Sequence, residues 1–437
     1  MLQESSFIDT YPRVLIVNGD RIATAGAMGI TLNNLFAGWP SDRLVQIFTS
    51  ALPSPRRSDF EYRLRPLERR GLSLLRAGNI ASREARPAGI CASTNTPGER
   101  PKPISDFLRS ELRNWLDLLP YQLPGDVEKA LVDFRPNLVY ACLGKIQISN
   151  LALHCAKLCN VPIVPHFMDD WMSTEYADRP DMVIQRRVLL RTAHKVLDSA
   201  PFGIAISDLM AEEYSATYGI PFHSFVNCAH VPERAEPEAP FDREGGPRLI
   251  YVGRLHLGRW RPLKDIGDAL ASLNREGTAG KLYVYAPKFD IAKYGQRLMG
   301  PGIEVAGSIT PDQVAGVLAG GQVLVHVESF EPTIRRYTRL SLSTKIPQYA
   351  AIGRPIFCYG PGEVASLRFV EKYECGLVVG SRERSELISA LRTIIVDGEM
   401  RHRFGVKAHE TALLMFDEVN VRERFRNTLS GAASITH

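Results

Sequence analysis

Short, mostly apolar runs alternate with amphipathic stretches along most of the chain. Pro12 to Asn18, Leu44 to Thr49, Pro136 to Cys142, Pro162 to Met168 and Gly203 to Ser207 read as strands buried on both faces of a parallel sheet. Helical patterns follow them at Ile30 to Ala37, Asp106 to Leu119, Asp126 to Phe134, Ser149 to Cys159 and Asp181 to Lys195, and Ser207 opens a further helix as a hydroxyl cap with acids in its first turn. After Val231 to Pro247, a linker rich in proline and charge, the same plan begins again. Strands are expected at Arg248 to Val252, Lys281 to Ala286, Gly302 to Ala306, Gln322 to Val327, Pro355 to Tyr359 and Gly376 to Val379. Helices are expected at Asp265 to Leu273, Ser385 to Asp397 and Glu399 to about Leu429. Strands that alternate with helices define the α/β class, here two doubly wound, Rossmann-like domains. The expected boundaries are 1–230, a linker at 231–247, and 248–437, since 437 residues exceed what one core organises.

One stretch breaks the plan. From Pro53 to Pro103 the sequence carries prolines, paired arginines and a Gly/Ser/Thr tract without periodicity, and it reads as an irregular, partly mobile insertion. Its basic segment, Arg56-Arg57 through Arg69-Arg70, is interleaved with Phe60, Tyr62, Leu64 and Leu67. That pattern suits a membrane surface, the lining of an acceptor cleft, or simply a solvated face packed on its own domain.

Composition narrows the class of protein. Hydrophobic content of 45% with 23% charged residues is ordinary for a globular enzyme. The net charge of +5 suits anionic ligands, but the charge is spread and lacks a nucleic-acid signature. Seven cysteines, several inside apolar strands, read as buried thiols of a reducing compartment. The N-terminus has no signal-peptide pattern and no apolar run spans a membrane, so the expected location is cytoplasmic, with peripheral attachment at the inner membrane surface left open.

Polar chemistry concentrates between His326 and Glu363. Two acids, Glu328 and Glu331, and three arginines, Arg335, Arg336 and Arg339, follow one expected strand, and Ser341-Leu-Ser343-Thr344-Lys345 opens a helix that ends at Gly353. A lysine in a first helical turn opposes the helix dipole but suits a bound phosphate. A second group of cations, Arg254, Arg259, Arg261 and Lys264, follows the strand that ends at Val252-Gly253. In the first half, Asp169-Asp170 stand at a strand end, where open α/β sheets place ligands, or else hold a loop or cap a helix. Gly26 and Gly29 lie in an early loop without the full Gly-x-Gly-x-x-Gly pattern. No Asp-x-Asp stands at a strand end of the second half, so no metal site is expected.

Gln348-Tyr-Ala-Ala-Ile-Gly353-Arg-Pro355, preceded by Thr344-Lys345, resembles the donor site of retaining glycosyltransferases of the GT-B fold, family 4. In that family an acid after one strand and a second acid on the next helix precede a run of small residues and Gly-x-Pro. Here Glu331, with Glu328 as alternate, is the best match for the first acid, set upstream by an insertion, Pro332 to Leu340. The second is Gln348, which can still hydrogen-bond a hydroxyl. The resemblance implies two domains facing across a cleft, with a final helix that crosses back onto the first. It implies a nucleotide-diphosphate sugar of the UDP or GDP type as donor substrate, no cofactor, and a glycan, lipid-linked or small-molecule acceptor. Arg254 and Lys345 would stabilise the leaving phosphate, while Glu331 and Asp170 would contact sugar or acceptor. Gly253, Lys264, Glu328, Ser343, Thr344, Gln348 and Gly29 would line the donor site. Two alternatives stand beside a transferase: a catalytically silent sugar-nucleotide or glycan-binding module, suggested by Gln348, and a sugar-nucleotide epimerase or hydrolase of the same fold.

Overall fold

The computed structural model describes residues 11–22, 26–50, 55–65, 68–69, 115–235 and 245–435. Most of the 53–103 stretch, the first part of the helix expected over 106–119, Cys91 and residues 236–244 of the linker lie outside the described residues. The chain divides into two compact units, one of Met1–Phe225 with Arg422–His437 and one of Val226–Val421.

The first unit is built on a parallel sheet of β1 (Val14–Asn18), β2 (Leu44–Phe48), β3 (Phe60–Arg63), β4 (Leu138–Cys142), β5 (Ile163–Phe167), β6 (Gly203–Ala205) and β7 (Phe222–Ser224), in the order β3-β2-β1-β4-β5-β6-β7. Strands β1, β2, β4 and β5 are buried at every position, as apolar runs covered on both faces must be. Phe60–Arg63 falls inside the stretch read as irregular, yet it pairs in parallel with Val45–Phe48 at the sheet edge. Its alternation is masked in the sequence because Glu61 is held inward: Gln46 Nε2 donates to it at 3.2 Å, and Arg21 is its ion-pair partner.

The second unit carries β8 (Arg248–Val252), β9 (Lys281–Tyr285), β10 (Ile303–Gly307), β11 (Val323–Val327), β12 (Ile356–Tyr359) and β13 (Gly376–Val379), all parallel, in the order β10-β9-β8-β11-β12-β13. Alternation along the strands sorts its core into two layers. Leu249, Tyr251, Val323, Val325 and Val327 pack with the helices Trp260–Arg275 and Arg384–Val396. Ile250, Leu324, Ile356 and Cys358 pack with Lys345–Ile352, Ala365–Lys372 and Gly398–Met415.

The C-terminal region departs from the single long helix expected there. It is two helices, Gly398–Met415 and Glu418–Ala433, separated at Phe416-Asp417. The break has a cause elsewhere in the chain: Ala229 N–H donates to the Phe416 carbonyl, and Glu418 N–H donates to the Ala229 carbonyl, so a passing strand of backbone takes the place of helical bonds. Within the first unit, Phe425 of the last helix is fully buried, with its ring 5.1 Å from Phe36, 5.9 Å from Tyr140 and 5.2 Å from Phe225. Among the described residues, the thiols of Cys142, Cys155, Cys228, Cys358 and Cys375 are buried, and that of Cys159 is partly so.

Phe425→Ala removes an aromatic side chain from this cluster and is expected to cost about 3 to 5 kcal/mol. Denaturant unfolding followed by tryptophan fluorescence, to which Trp39 contributes with its ring 6.3 Å from Phe425, reads this loss. A cost under about 1 kcal/mol would mean that the last helix contributes little to the first unit.

Candidate functional site

All strands of a parallel sheet present their carboxyl ends along one edge, and a crevice opens where neighbouring strands lead to opposite faces. In the second unit that point lies between β8 and β11. The chain leaving β8 enters the helix Trp260–Arg275 on one face, and the chain leaving β11 reaches Lys345–Ile352 on the other.

The turn after β8 is sharp, with φ of +152° at Gly253, +55° at Leu257 and +67° at Gly258. Gly253 is glycine for a second reason. A Cβ there would stand 2.2 Å from Cε and 2.9 Å from Nζ of Lys345, so the lysine stem runs against bare backbone. The Lys345 ammonium then lies 5.1 Å over the Tyr251 ring, in cation–π range. Among the described residues it has no hydrogen-bond acceptor of its own.

Two arginines from the same turn complete the group, each with its own carboxylate. Arg259 Nη2 donates to both oxygens of Glu328, at 3.2 and 3.3 Å, and this carboxylate at the end of β11 is only 2% exposed. His326 Nε2 stands 3.2 Å from the same Glu328 oxygen. Arg254 Nε donates to Asp290 Oδ2 at 2.7 Å, and its guanidinium lies 4.5 Å over the Phe289 ring.

The titration of these groups follows from crowding. Burial alone would raise the Glu328 pKa, but Arg259, His326 and Lys345 together hold it at about 2. Lys345 keeps some solvent contact as a residue, yet burial of its ammonium and repulsion from Arg259 push its pKa down to about 7, with Glu328 opposing. His326 is lowered by burial, and His256 is pushed to about 3 by burial together with Arg259 and Arg254. Neither imidazole is charged near neutrality, so the positive charge resides on the three longer side chains.

The structure thus brings Gly253, Arg254, Glu328 and Lys345 to one place, and treats the other expected residues differently. Lys264 makes none of these contacts: its ammonium is taken up by Asp268 Oδ1 at 2.5 Å and by the Met299 carbonyl at 3.3 Å. Arg259 occupies the cluster in its stead. Glu331 accepts from Arg261 Nη1 at 3.1 Å and precedes the short helix Pro332–Thr338, which forms most of the apparent insertion. Gln348 sits half-buried in the first turns of Lys345–Ile352. At that helix start the cap residue, Thr344, makes no side-chain cap bond, and Ser343 Oγ accepts from the Lys345 N–H at 3.5 Å. The Ser343 N–H is taken by Ser366 Oγ at 3.0 Å, Ile346 N–H by the Ser343 carbonyl, and the Thr344 carbonyl accepts from Asn227. The peptide N–H groups of residues 343 and 346 are therefore engaged within the chain.

Two expected residues lie in the first unit. Gly29 is buried within the helix Ala27–Leu35, which begins earlier than the loop reading placed it. Asp170 is also buried, and its two oxygens accept from Tyr214 at 2.8 Å and Ser173 at 2.5 Å. These are the bonds that the loop-holding alternative to sugar contact calls for. Sequence reasoning passed over Asp290, and it named Arg259 among the cations after the strand, and His326 at the start of the polar stretch, without giving either a role. An acid in a first helical turn looks like an ordinary dipole partner, and nothing local marks Asp290 as the holder of a distant arginine.

No protein-family model matches the chain, and no curated protein matches it by sequence. Solved structures do match. Anabaena HepE, in complex with UDP, is 13% identical, with a TM-score of 0.63 over 96% of this chain and 100% of that one. The same protein has been solved with UDP-glucose. Sucrose-phosphate synthase from Thermosynechococcus elongatus is 13% identical, with a TM-score of 0.60 over 96% and 98% of the two chains. WaaG, a glycosyltransferase involved in lipopolysaccharide biosynthesis, is 14% identical, with a TM-score of 0.54 over 96% and 100%. The chain has the fold of these proteins, the GT-B architecture of two Rossmann-like domains.

A lysine held below its ordinary pKa of 10.5 destabilises the fold while it is charged, so stability should rise as pH increases from about 7 toward 10.5. Lys345→Met keeps the stem and removes the charge. It is expected to raise Tm at pH 6 by roughly 2 to 4 °C, the shift that about 1 kcal/mol produces in a unit of this size, and by less at pH 9. A fall in Tm at both pH values would show that the ammonium is a net stabilising contact.

Proposed function

We propose that the protein is a glycosyltransferase that moves a sugar, with retention, from a nucleotide-diphosphate sugar of the UDP or GDP type to a glycan, lipid-linked or small-molecule acceptor. The observation that carries this reading is Lys345, an ammonium without an acceptor of its own, packed against Gly253 beside Arg259 at the switch point of the second sheet. Arg254 and Arg259 each have a carboxylate, so the group as a whole lacks one negative charge. A diphosphate would supply it.

In this reading the cations contribute most as the reaction proceeds. The bond from the anomeric carbon to the diphosphate oxygen breaks with both electrons going to oxygen, and the phosphate gains charge beside Arg254, Arg259 and Lys345. Fixed cations that meet growing charge stabilise the transition state more than the bound donor. The acceptor hydroxyl bonds to the anomeric carbon from the face that the diphosphate leaves, and its proton passes to the departing phosphate. Glu331 and Gln348 are suited to holding sugar or ribose hydroxyls, and Glu328, committed to Arg259, sets the position of that arginine. Side-chain cations neutralise the diphosphate here, without a divalent ion.

Incubating the protein with a panel of UDP- and GDP-sugars and candidate acceptors tests the proposal. The expected result is transferred sugar, undiminished by a chelator. Free sugar or an isomerised donor as the sole product would favour the hydrolase or epimerase reading, binding without turnover the silent module, and loss of donor binding on chelation would refute the cation-only site.

Donor binding should also depend on pH in a defined direction. A bound diphosphate favours the charged form of Lys345, so binding above its pKa of about 7 takes up a proton. Affinity for the nucleotide diphosphate is expected to weaken by up to about tenfold per pH unit between pH 7 and 9. Calorimetry in two buffers of different ionisation enthalpy should register the uptake at pH 8, and Lys345→Met should abolish it. Equal proton uptake in wild type and Lys345→Met would assign the titration to another group.

A further inference from the structure

We propose that Asp290 is a positioning residue for the donor diphosphate, acting through Arg254; this rests on the donor-site reading above. Asp290 lies in the first turn of the helix Lys288–Leu298, where an acid is ordinarily a solvated partner of the helix dipole. Here it is 3% exposed. A single oxygen, Oδ2, accepts both from Arg254 Nε at 2.7 Å and from the Leu255 peptide N–H at 2.9 Å. One carboxylate therefore holds both the arginine side chain and the backbone of the turn that carries it. The turn is tied a second time, from below, by Tyr251, whose hydroxyl donates to the Arg254 carbonyl at 2.5 Å.

What this leaves free is the other side of the guanidinium. Nε is used, one face lies 4.5 Å over the Phe289 ring, and the side chain remains 46% exposed. Among the described residues Nη1 and Nη2 make no hydrogen bond, so the two terminal amino groups form a fork with its plane and direction already set. A guanidinium fork matches two oxygens of a phosphate. Ordering it in advance removes the rotamer entropy that a free arginine loses on binding. Phe289, itself 59% exposed, forms the platform on which the Arg254 guanidinium lies.

The test is a double-mutant cycle read by calorimetric affinity, with whichever of UDP and GDP the wild-type chain binds as the probe. Arg254→Ala is expected to weaken binding by roughly ten- to a hundredfold, the range for a hydrogen-bonded charge, and Asp290→Ala by roughly tenfold. In the Arg254→Ala background, Asp290→Ala should have almost no further effect, because its contribution passes through the arginine. Asp290→Asn, whose amide oxygen can accept both hydrogen bonds, should recover affinity to within about threefold of wild type and also serves if Asp290→Ala folds poorly. Effects of the two alanine variants that multiply, or an Asp290→Asn variant as weak as Asp290→Ala, would overturn the positioning role while leaving the donor site in place. If wild type binds neither nucleotide, or if Arg254→Ala leaves affinity unchanged, the donor-site reading fails and this inference fails with it.

Discussion

The second unit holds three long cations within reach of one another at the end of two buried strands, and the constraint that this imposes runs through the rest of its structure. Charges brought out of water are costly unless each is paired, and here only two of the three are. Glu328, buried and held at about 2, compensates Arg259, and Asp290 compensates Arg254. Lys345 shares the field of Glu328 without a bond to it, and burial together with Arg259 pushes its pKa down. Local features follow from accommodating that group: a glycine where the lysine stem passes, a tyrosine ring beneath the ammonium, and two imidazoles kept neutral so that they add no further charge.

The sheet makes this arrangement possible. Because β8 and β11 are neighbours whose following helices cover opposite faces, the two turns diverge and leave their side chains pointing into the same crevice. A phosphate-binding site can be built in such a crevice from backbone N–H groups at a helix start. Here the N–H groups of Ser343 and Ile346 are satisfied locally, and the proposed diphosphate site relies on side chains instead. The choice has a chemical consequence: side-chain cations can titrate and can be aimed individually, whereas a helix terminus cannot.

Within the first unit, the acid at the end of β5 is engaged by its neighbours. Asp170 stands at the carboxyl end of β5, but its oxygens are committed to Tyr214 and Ser173. The last helix contributes Phe425 to the same unit, between aromatic rings drawn from widely separated parts of the chain.

The α/β class, most of the strands and the cations of the second half could be read from the chain alone, because each depends on local pattern: apolar runs of strand length, helical periodicity, and arginine or lysine directly after a strand. Gly253 and Arg254 could be singled out after a strand, and Lys345 at a helix start. The β3 strand was not legible, since its inward-facing Glu61 breaks the apolar pattern and is held by Gln46, Arg21, Ser58 and the Arg57 N–H. The interruption of the C-terminal helix was not legible either, because backbone at Ala229 causes it from almost two hundred residues away. Lys264 and Arg259 are both basic residues a few positions after β8, and no spacing rule separates them. Only the tertiary structure placed Arg259 against Glu328 and turned Lys264 to Asp268. The same holds for Asp290. Local sequence determines which residues can carry charge and which segments are strands, but the cost of burying a charge depends on its neighbours in space, and those are settled only when the sheet has formed.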